Sequence, residues 1–150
     1  MKKIIFGITV LILTLAGCKY EEGSAFTNVE KRIKGIWSIS SIYKNGEKTD
    51  TESPTVVESQ NAVYEFHKTK LLLISYVYGD IAYQSPGSWS FGDKKKTIEL
   101  TFKNQYYDLN RSYEIVKFTN KELKVRFTDD YGVKWTLDFT LEYLFSPNDL

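Results

Sequence analysis

Few side chains in this chain of 150 residues are of a type that makes or breaks bonds, and none has the company such chemistry needs. His67 is the single histidine. A general base requires a partner within hydrogen-bond reach and a pocket, and a histidine followed by Lys68 at the end of a strand-like run reads as a turn residue. Cys18 is the single cysteine, so no internal disulfide forms. There is likewise no cysteine–histidine cluster of the kind that holds zinc. Asp129-Asp130-Tyr131-Gly132 lacks the spaced oxygen ligands of a calcium loop and reads as a hairpin turn. The glycines do not gather into a phosphate loop. Ser38, Ser40 and Ser41 stand in a strand without a Gly-x-Ser-x-Gly elbow. These patterns give no catalytic residue, no metal and no cofactor.

Noncovalent binding is better supplied. The chain holds 11 Tyr, 9 Phe and 3 Trp. Tyr76, Tyr78, Tyr83, Trp89, Tyr106 and Tyr107 fall near strand ends and loops. Aromatic rings with polar tips at a mouth suit an amphipathic ligand or a sugar, and equally a protein contact. Lys94-Lys95-Lys96 makes a charged hairpin tip, with contact to a membrane or an anionic partner as the minority reading.

The first eighteen residues set where this chemistry operates. Lys2 and Lys3 precede an apolar run from Ile4 to Ala16. Ile4 to Gly17 is 14 residues, which as a helix spans about 21 Å, short of the roughly 30 Å of a bilayer core. Basic start, short apolar middle and small residues fit a secretory signal. Leu15-Ala16-Gly17-Cys18 resembles a bacterial lipobox. That resemblance implies a lipoprotein signal peptide over residues 1–17, cut by signal peptidase II between Gly17 and Cys18. It also implies that Cys18 carries a thioether-linked diacylglycerol and an amide-linked acyl chain such as palmitate. Two or more chains anchor stably where one does not. Lys19 stands where inner-membrane retention uses Asp, so the expectation is an outer-membrane lipoprotein of the cell envelope. Tyr20-Glu21-Glu22 after Lys19 fits either an ordinary charged tether or a loose surface-sorting signal, so both the periplasmic and the surface side stay open.

Loss of 17 residues leaves 133, with 18 basic and 19 acidic residues and a formal charge of −1. That length suits one domain, and near-neutrality gives no electrostatic footprint for nucleic acid. The expected organisation is a tether over 18–26 and a domain over 27–145, read as a monomer. Phe26 to Gly35 is expected to be a short helix, with Thr27 and Glu30 as a capping box, Val29 and Ile33 on one face, and Gly35 as a left-handed stop. Beyond it the hydrophobic period becomes two. Val133-Trp135-Leu137-Phe139-Leu141, Leu123-Val125-Phe127 and Ile98-Leu100-Phe102 alternate with polar residues, one face for a core and one for water. Ile36–Tyr43, Ala62–Phe66, Leu71–Tyr78, Ile81–Phe91 and Arg111–Phe118 supply further strands. Turn signals separate them at Asn45-Gly46, Lys68-Thr69, Gly79-Asp80, Gly92-Asp93, Thr119-Asn120 and Asp129–Gly132, with Gly and Asn expected to provide positive φ. The fold expected is all-β: about eight antiparallel strands in an up-and-down barrel behind a short N-terminal helix, since closure removes exposed edges.

A helix running into Gly35-Ile36-Trp37 at the start of the first strand resembles the opening of lipocalins. With Trp89-Ser90-Phe91, Lys121-Glu122-Leu123 and Trp135 to Phe139, the chain resembles the small lipocalin-like lipoproteins of Gram-negative bacteria. It departs from true lipocalins in showing no substantial helix after the last strand. The resemblance implies a barrel floor closed by Trp37 with a basic residue packed over it. Arg126 or Lys134 is the candidate, Arg126 preferred because guanidinium stacks well on indole. It implies a small apolar or amphipathic ligand, with Trp37, Trp89, Phe102, Arg126, Trp135 and Phe139 as floor or ligand candidates. If Trp37, Phe102, Phe127, Trp135 and Phe139 together fill the interior, the alternative is a solid barrel whose surface binds protein or glycan, as an adhesion or inhibitor module.

Overall fold

The computed structural model describes residues 29–103 and 108–146. Gly17 and Cys18, the tether, Thr27 of the capping box, and Tyr106 and Tyr107 lie outside them. Helix α1 is Val29–Ile33. The strands are β1 Gly35–Lys44, β2 Glu47–Thr49, β3 Val63–Phe66, β4 Leu71–Tyr78, β5 Ile81–Gly92, β6 Thr97–Lys103, β7 Asp108–Phe118, β8 Glu122–Thr128 and β9 Lys134–Leu144. β1 pairs with β3 along one edge and with β9 along the other, all antiparallel. β1 and β3 to β9 thus close an eight-stranded up-and-down barrel, and β2 is a short arm hydrogen-bonded to the end of β1.

Alternation fills the bore. Trp37, Ile39 and Ile42 point inward from β1, Leu72, Ile74 and Tyr76 from β4, Leu123, Val125 and Phe127 from β8, and Trp135, Leu137 and Phe139 from β9; all are buried. Leu71–Tyr78, apolar on both faces in sequence, is an interior strand of the barrel wall whose outer residues Leu71 and Val77 stay exposed. Where the period slips, a bulge absorbs it. The β1–β9 register shifts between Ile39 and Ser41, so Ile39 and Ile42 face the bore although they are three apart. A second shift between Ile115 and Lys117 does the same for Ile115 and Phe118.

Three backbone expectations need correction, at Gly92, at Gly35 and at Asn120, which does not take a positive φ. Asn45 and Gly46 do take positive φ, 51° and 90°, as a two-residue hairpin of this twist requires. Between β5 and β6, however, Gly92 is extended (φ −113°). The left-handed residues there are Asp93, Lys94 and Lys95, at φ 38°, 54° and 69°. Gly35 is likewise not a left-handed helix stop but the first residue of β1. A Cβ placed on it would lie 2.3 Å from the Tyr143 carbonyl oxygen of β9. The glycine of Gly-x-Trp is needed because β1 and β9 approach closely at the seam.

The barrel's narrow end is sealed by α1. Trp37 Nε1 donates to the Ile33 carbonyl at 2.8 Å. The Trp37 ring lies 5.9 Å from that of Phe118. Arg32 Nη1 donates to the Phe118 carbonyl at 2.9 Å, and its guanidinium stands 5.3 Å from the Phe118 ring. The floor's basic residue is therefore Arg32 from the helix, acting on Phe118. Neither Arg126 nor Lys134 fills that place, because strand alternation sends both outward. Arg126 pairs on the exterior with Glu114 through two bonds of 3.0 and 2.6 Å, and Lys134 is exposed at the far end of β9.

Gly35→Ala is expected to lower unfolding free energy by about 1–3 kcal/mol, the usual cost of forcing an atom into a packed site. Urea titration followed by tryptophan fluorescence measures it, with the more open Gly46→Ala as a comparison for turn strain alone.

Candidate site at the wide end of the barrel

Residues 50–62 leave β2 and cross the wide end before β3 begins. They contain one turn of 3₁₀ helix, Val56–Glu58, and both Val57 and Glu58 are wholly buried. The segment is held from two walls. From β3, Tyr64 Oη donates to the Val57 carbonyl at 2.9 Å. From β7, Arg111 grips the Glu58 carboxylate with two bonds, Nε to Oε1 and Nη2 to Oε2, each 3.0 Å. Tyr113 Oη adds a third to Oε1 at 2.7 Å, and Thr55 Oγ1 a fourth to Oε2 at 2.9 Å. β3 and β7 stand four places apart in the ring of eight strands, so this polar network runs across the bore.

The spacing follows from the strand period. Arg111 and Tyr113 are two apart on β7, hence on the same inward face. The Arg111 guanidinium also lies 4.3 Å from the centre of the Phe127 ring on β8. Burial alone would lower its pKa, but the hydrogen bonds and charge of Glu58 outweigh that and hold it above the ordinary arginine value. The Tyr113 hydroxyl is pushed well above the ordinary tyrosine value, first by burial and then by the Glu58 charge. It therefore stays a donor throughout the physiological range.

The β7–β8 ladder ends beside this network. β7 pairs with β6 out to Asp108, and β8 pairs with β9 out to Thr128. Between β7 and β8 the ladder reaches only Glu114 opposite Arg126. Beyond that rung β7 and β8 share no ladder pair, although the Tyr113 and Phe127 rings still pack at 5.2 Å. A half-open cleft of about 430 Å³ lies there, with Asn110, Arg111, Ser112, Phe127, Asp130 and Lys134 among its lining. Its polar lining makes it a vestibule, while Arg111 and Phe127 face inward from the same stretch.

The β8–β9 turn bounds the vestibule. Asp129 Oδ1 accepts from the backbone N–H groups of Tyr131 and Val133, both at 2.9 Å, and Oδ2 accepts from Trp135 Nε1 at 2.8 Å. These bonds, the indole's foremost, hold the Asp129 carboxyl below the usual aspartate value. The hairpin reading of Asp129-Asp130-Tyr131-Gly132 describes this turn. Among the described residues no group of three or more His, Cys, Asp or Glu could hold a metal ion.

The residues singled out in sequence fall in two places. Trp37 lies at the floor. Trp89 is also at the narrow end rather than at a mouth: its Nε1 donates to the His67 carbonyl at 3.1 Å and Lys70 Nζ sits 4.1 Å from its ring. Tyr76 and Tyr83 stack at 5.5 Å near the β4–β5 hairpin, whose Val77, Tyr78 and Ile81 are exposed. Phe139 meets Tyr64 edge-on at 5.1 Å in mid-barrel. Trp135 is at the wide end. Trp37, Phe102, Phe127, Trp135 and Phe139 are all buried. His67, in the β3–β4 turn, packs against the Phe145 ring at 5.1 Å. Sequence reasoning missed Glu58, Arg111 and Tyr113. Arg111-x-Tyr113 on a strand was the visible signal, since an arginine at an inward position needs a buried partner.

No protein-family model matches the chain, and no curated protein matches it. Solved structures do. Insecticyanin from the tobacco hornworm Manduca sexta superposes with a TM-score of 0.54 at 13% identity, over 79% of this chain and 66% of its own. Bovine odorant-binding protein in complex with undecanal superposes with a TM-score of 0.50 at 15% identity, over 85% and 81%. The fold is that of the lipocalins.

Two measurements test the site. Arg111→Met leaves the Glu58 carboxylate buried without its cation and is expected to cost about 3–5 kcal/mol, whereas Glu58→Met together with Arg111→Met recovers most of that loss. Because the Asp129 pKa is depressed, its contribution is complete above the usual aspartate range and is lost only as pH falls through the lowered value. Trp135 emission should therefore hold steady to below that range and shift under stronger acid, and Asp129→Asn should flatten the acid limb.

Proposed function

We propose that this chain is a membrane-anchored, lipocalin-like lipoprotein of the outer membrane, which binds a small apolar or amphipathic molecule noncovalently at the wide end of its barrel, under residues 50–62. The observation that carries this is the charged network in the bore. A barrel serving only as a solid body is more stable when such positions hold well-packed apolar residues, because desolvating two charges costs more than their attraction returns. A lid held by a polar clasp, beside the stretch where β7 and β8 share no ladder pair, suits an occupant that is exchanged. Likeness in fold to a protein solved with undecanal adds support. Burial of the ligand's chain would drive binding, at about 0.8 kcal/mol per CH₂.

The anchor rests on the Leu15-Ala16-Gly17-Cys18 pattern. Cys18→Ala should release the protein from membranes into the soluble fraction; acylation and membrane retention in that variant would contradict it.

A second reading has its own support. Burial of Trp37, Phe102, Phe127, Trp135 and Phe139, with Val77, Tyr78 and Ile81 exposed on one hairpin, fits a filled barrel that binds protein or glycan by its surface. Titration of the Cys18→Ala chain with the neutral fluorophore N-phenyl-1-naphthylamine separates the two. Saturable one-to-one binding with loss of Trp135 emission is expected. Absence of saturable binding would favour the surface reading.

A further inference from the structure

We propose that the preferred ligand carries a carboxylate, and that Arg111 and Tyr113 are the residues that recognise it, with Glu58 occupying their site when no ligand is bound. This rests on the reading that the wide end binds a small molecule, and it names the ligand's chemical class. Arg111 presents two parallel N–H donors, the geometry that selects a planar carboxylate. Tyr113 supplies a third donor to the same oxygen pair. All three bonds end on Glu58, which belongs to the crossing segment and not to the barrel wall. The acceptor is therefore delivered by a segment that can withdraw without breaking a strand-to-strand ladder. Backbone bonds tie that segment down mainly at its β3 end, through Asn61 to Ile39 and Ile39 to Ala62.

Exchange of one carboxylate for another keeps the charge balance of the bore. Glu58 moves toward solvent, the ligand's carboxylate takes the Arg111–Tyr113 fork, and Val57 vacates apolar space for the ligand's chain. An ester of equal length brings no charge, so it either leaves Arg111 unpaired or must fit beside Glu58. The polar vestibule between β7 and β8 lies outside Arg111, where an anion would arrive from water. Asp130 and Glu114 line it, but so do Arg126 and Lys134, so the vestibule does not exclude an anion.

The test compares decanoate with methyl decanoate by calorimetric titration of the full chain carrying Cys18→Ala, alone and with Glu58→Gln plus Arg111→Gln. The ratio of the two affinities within one variant does not depend on how easily the lid opens. Decanoate is expected to bind roughly 10- to 100-fold tighter than the ester to the parent chain, the worth of hydrogen bonds to a charged group. In the double-glutamine variant the ratio should fall to about one, with the ester still bound. Equal binding of acid and ester by the parent overturns the carboxylate assignment while leaving a ligand-binding barrel. A preference for the acid that survives the double substitution overturns the role of Arg111. Failure of both ligands to bind any variant overturns the inference together with the reading beneath it.

Discussion

Everything in this molecule depends on the seam where β1 meets β9. Eight antiparallel strands laid flat would leave two unpaired edges and a half-exposed apolar face. The seam removes both edges at once, and it turns the inward residues of every strand into one shared interior. Its geometry is demanding. β1 carries two register shifts against β9, and at its start the backbones come so close that only a glycine fits. Trp37 can then seal the narrow end, because Gly35 places it directly beneath α1, within reach of the Ile33 carbonyl.

With one end sealed by apolar packing, the two ends of the bore differ in kind. The narrow end is held by rings: Trp37 on Phe118, and Trp89 edge-on to Phe66 and Phe91 at 5.6 Å each. The wide end is held by charge. Glu58, Arg111, Tyr113 and Thr55 satisfy one another within a low-dielectric interior, where a complete polar network is rigid and a broken one is costly. Rings packed in a core cannot be exchanged without cavities, whereas a carboxylate in an arginine fork can be traded for another of the same shape and charge. The proposed binding at the wide end rests on this asymmetry.

Much of the fold was legible in the sequence because the period of two is printed on it. The strands expected at Leu71–Tyr78 and Ile81–Phe91 and the alternating runs ending in Phe102, Phe127 and Leu141 agree with the observed β4, β5, β6, β8 and β9. What alternation could not convey was which element supplies the floor's arginine. Alternation already put Arg126 and Lys134 on the wet face; the arginine that serves the floor comes from α1. The site was less legible still. Arg111 and Tyr113 stood in a recognised strand, but their partner Glu58 lies in a loop more than fifty positions away, and nothing in local composition marks a glutamate as buried. Only the folded arrangement shows that one acid of a polar loop is drawn inside.

On the proposed function, residues 50–62 are a separately opening cover on a permanently closed barrel. Native-state amide hydrogen exchange measures this directly, because sub-global openings expose their own amides with less free energy than global unfolding. The Glu58 N–H, bonded to the Thr55 carbonyl at 3.1 Å, reports the cover, and the amides paired across β1 and β9 report the seam. The expected result is exchange at Glu58 through an opening far smaller than that of the seam. Equal protection of both, rising and falling together with denaturant, would mean that residues 50–62 are part of the core and do not open on their own.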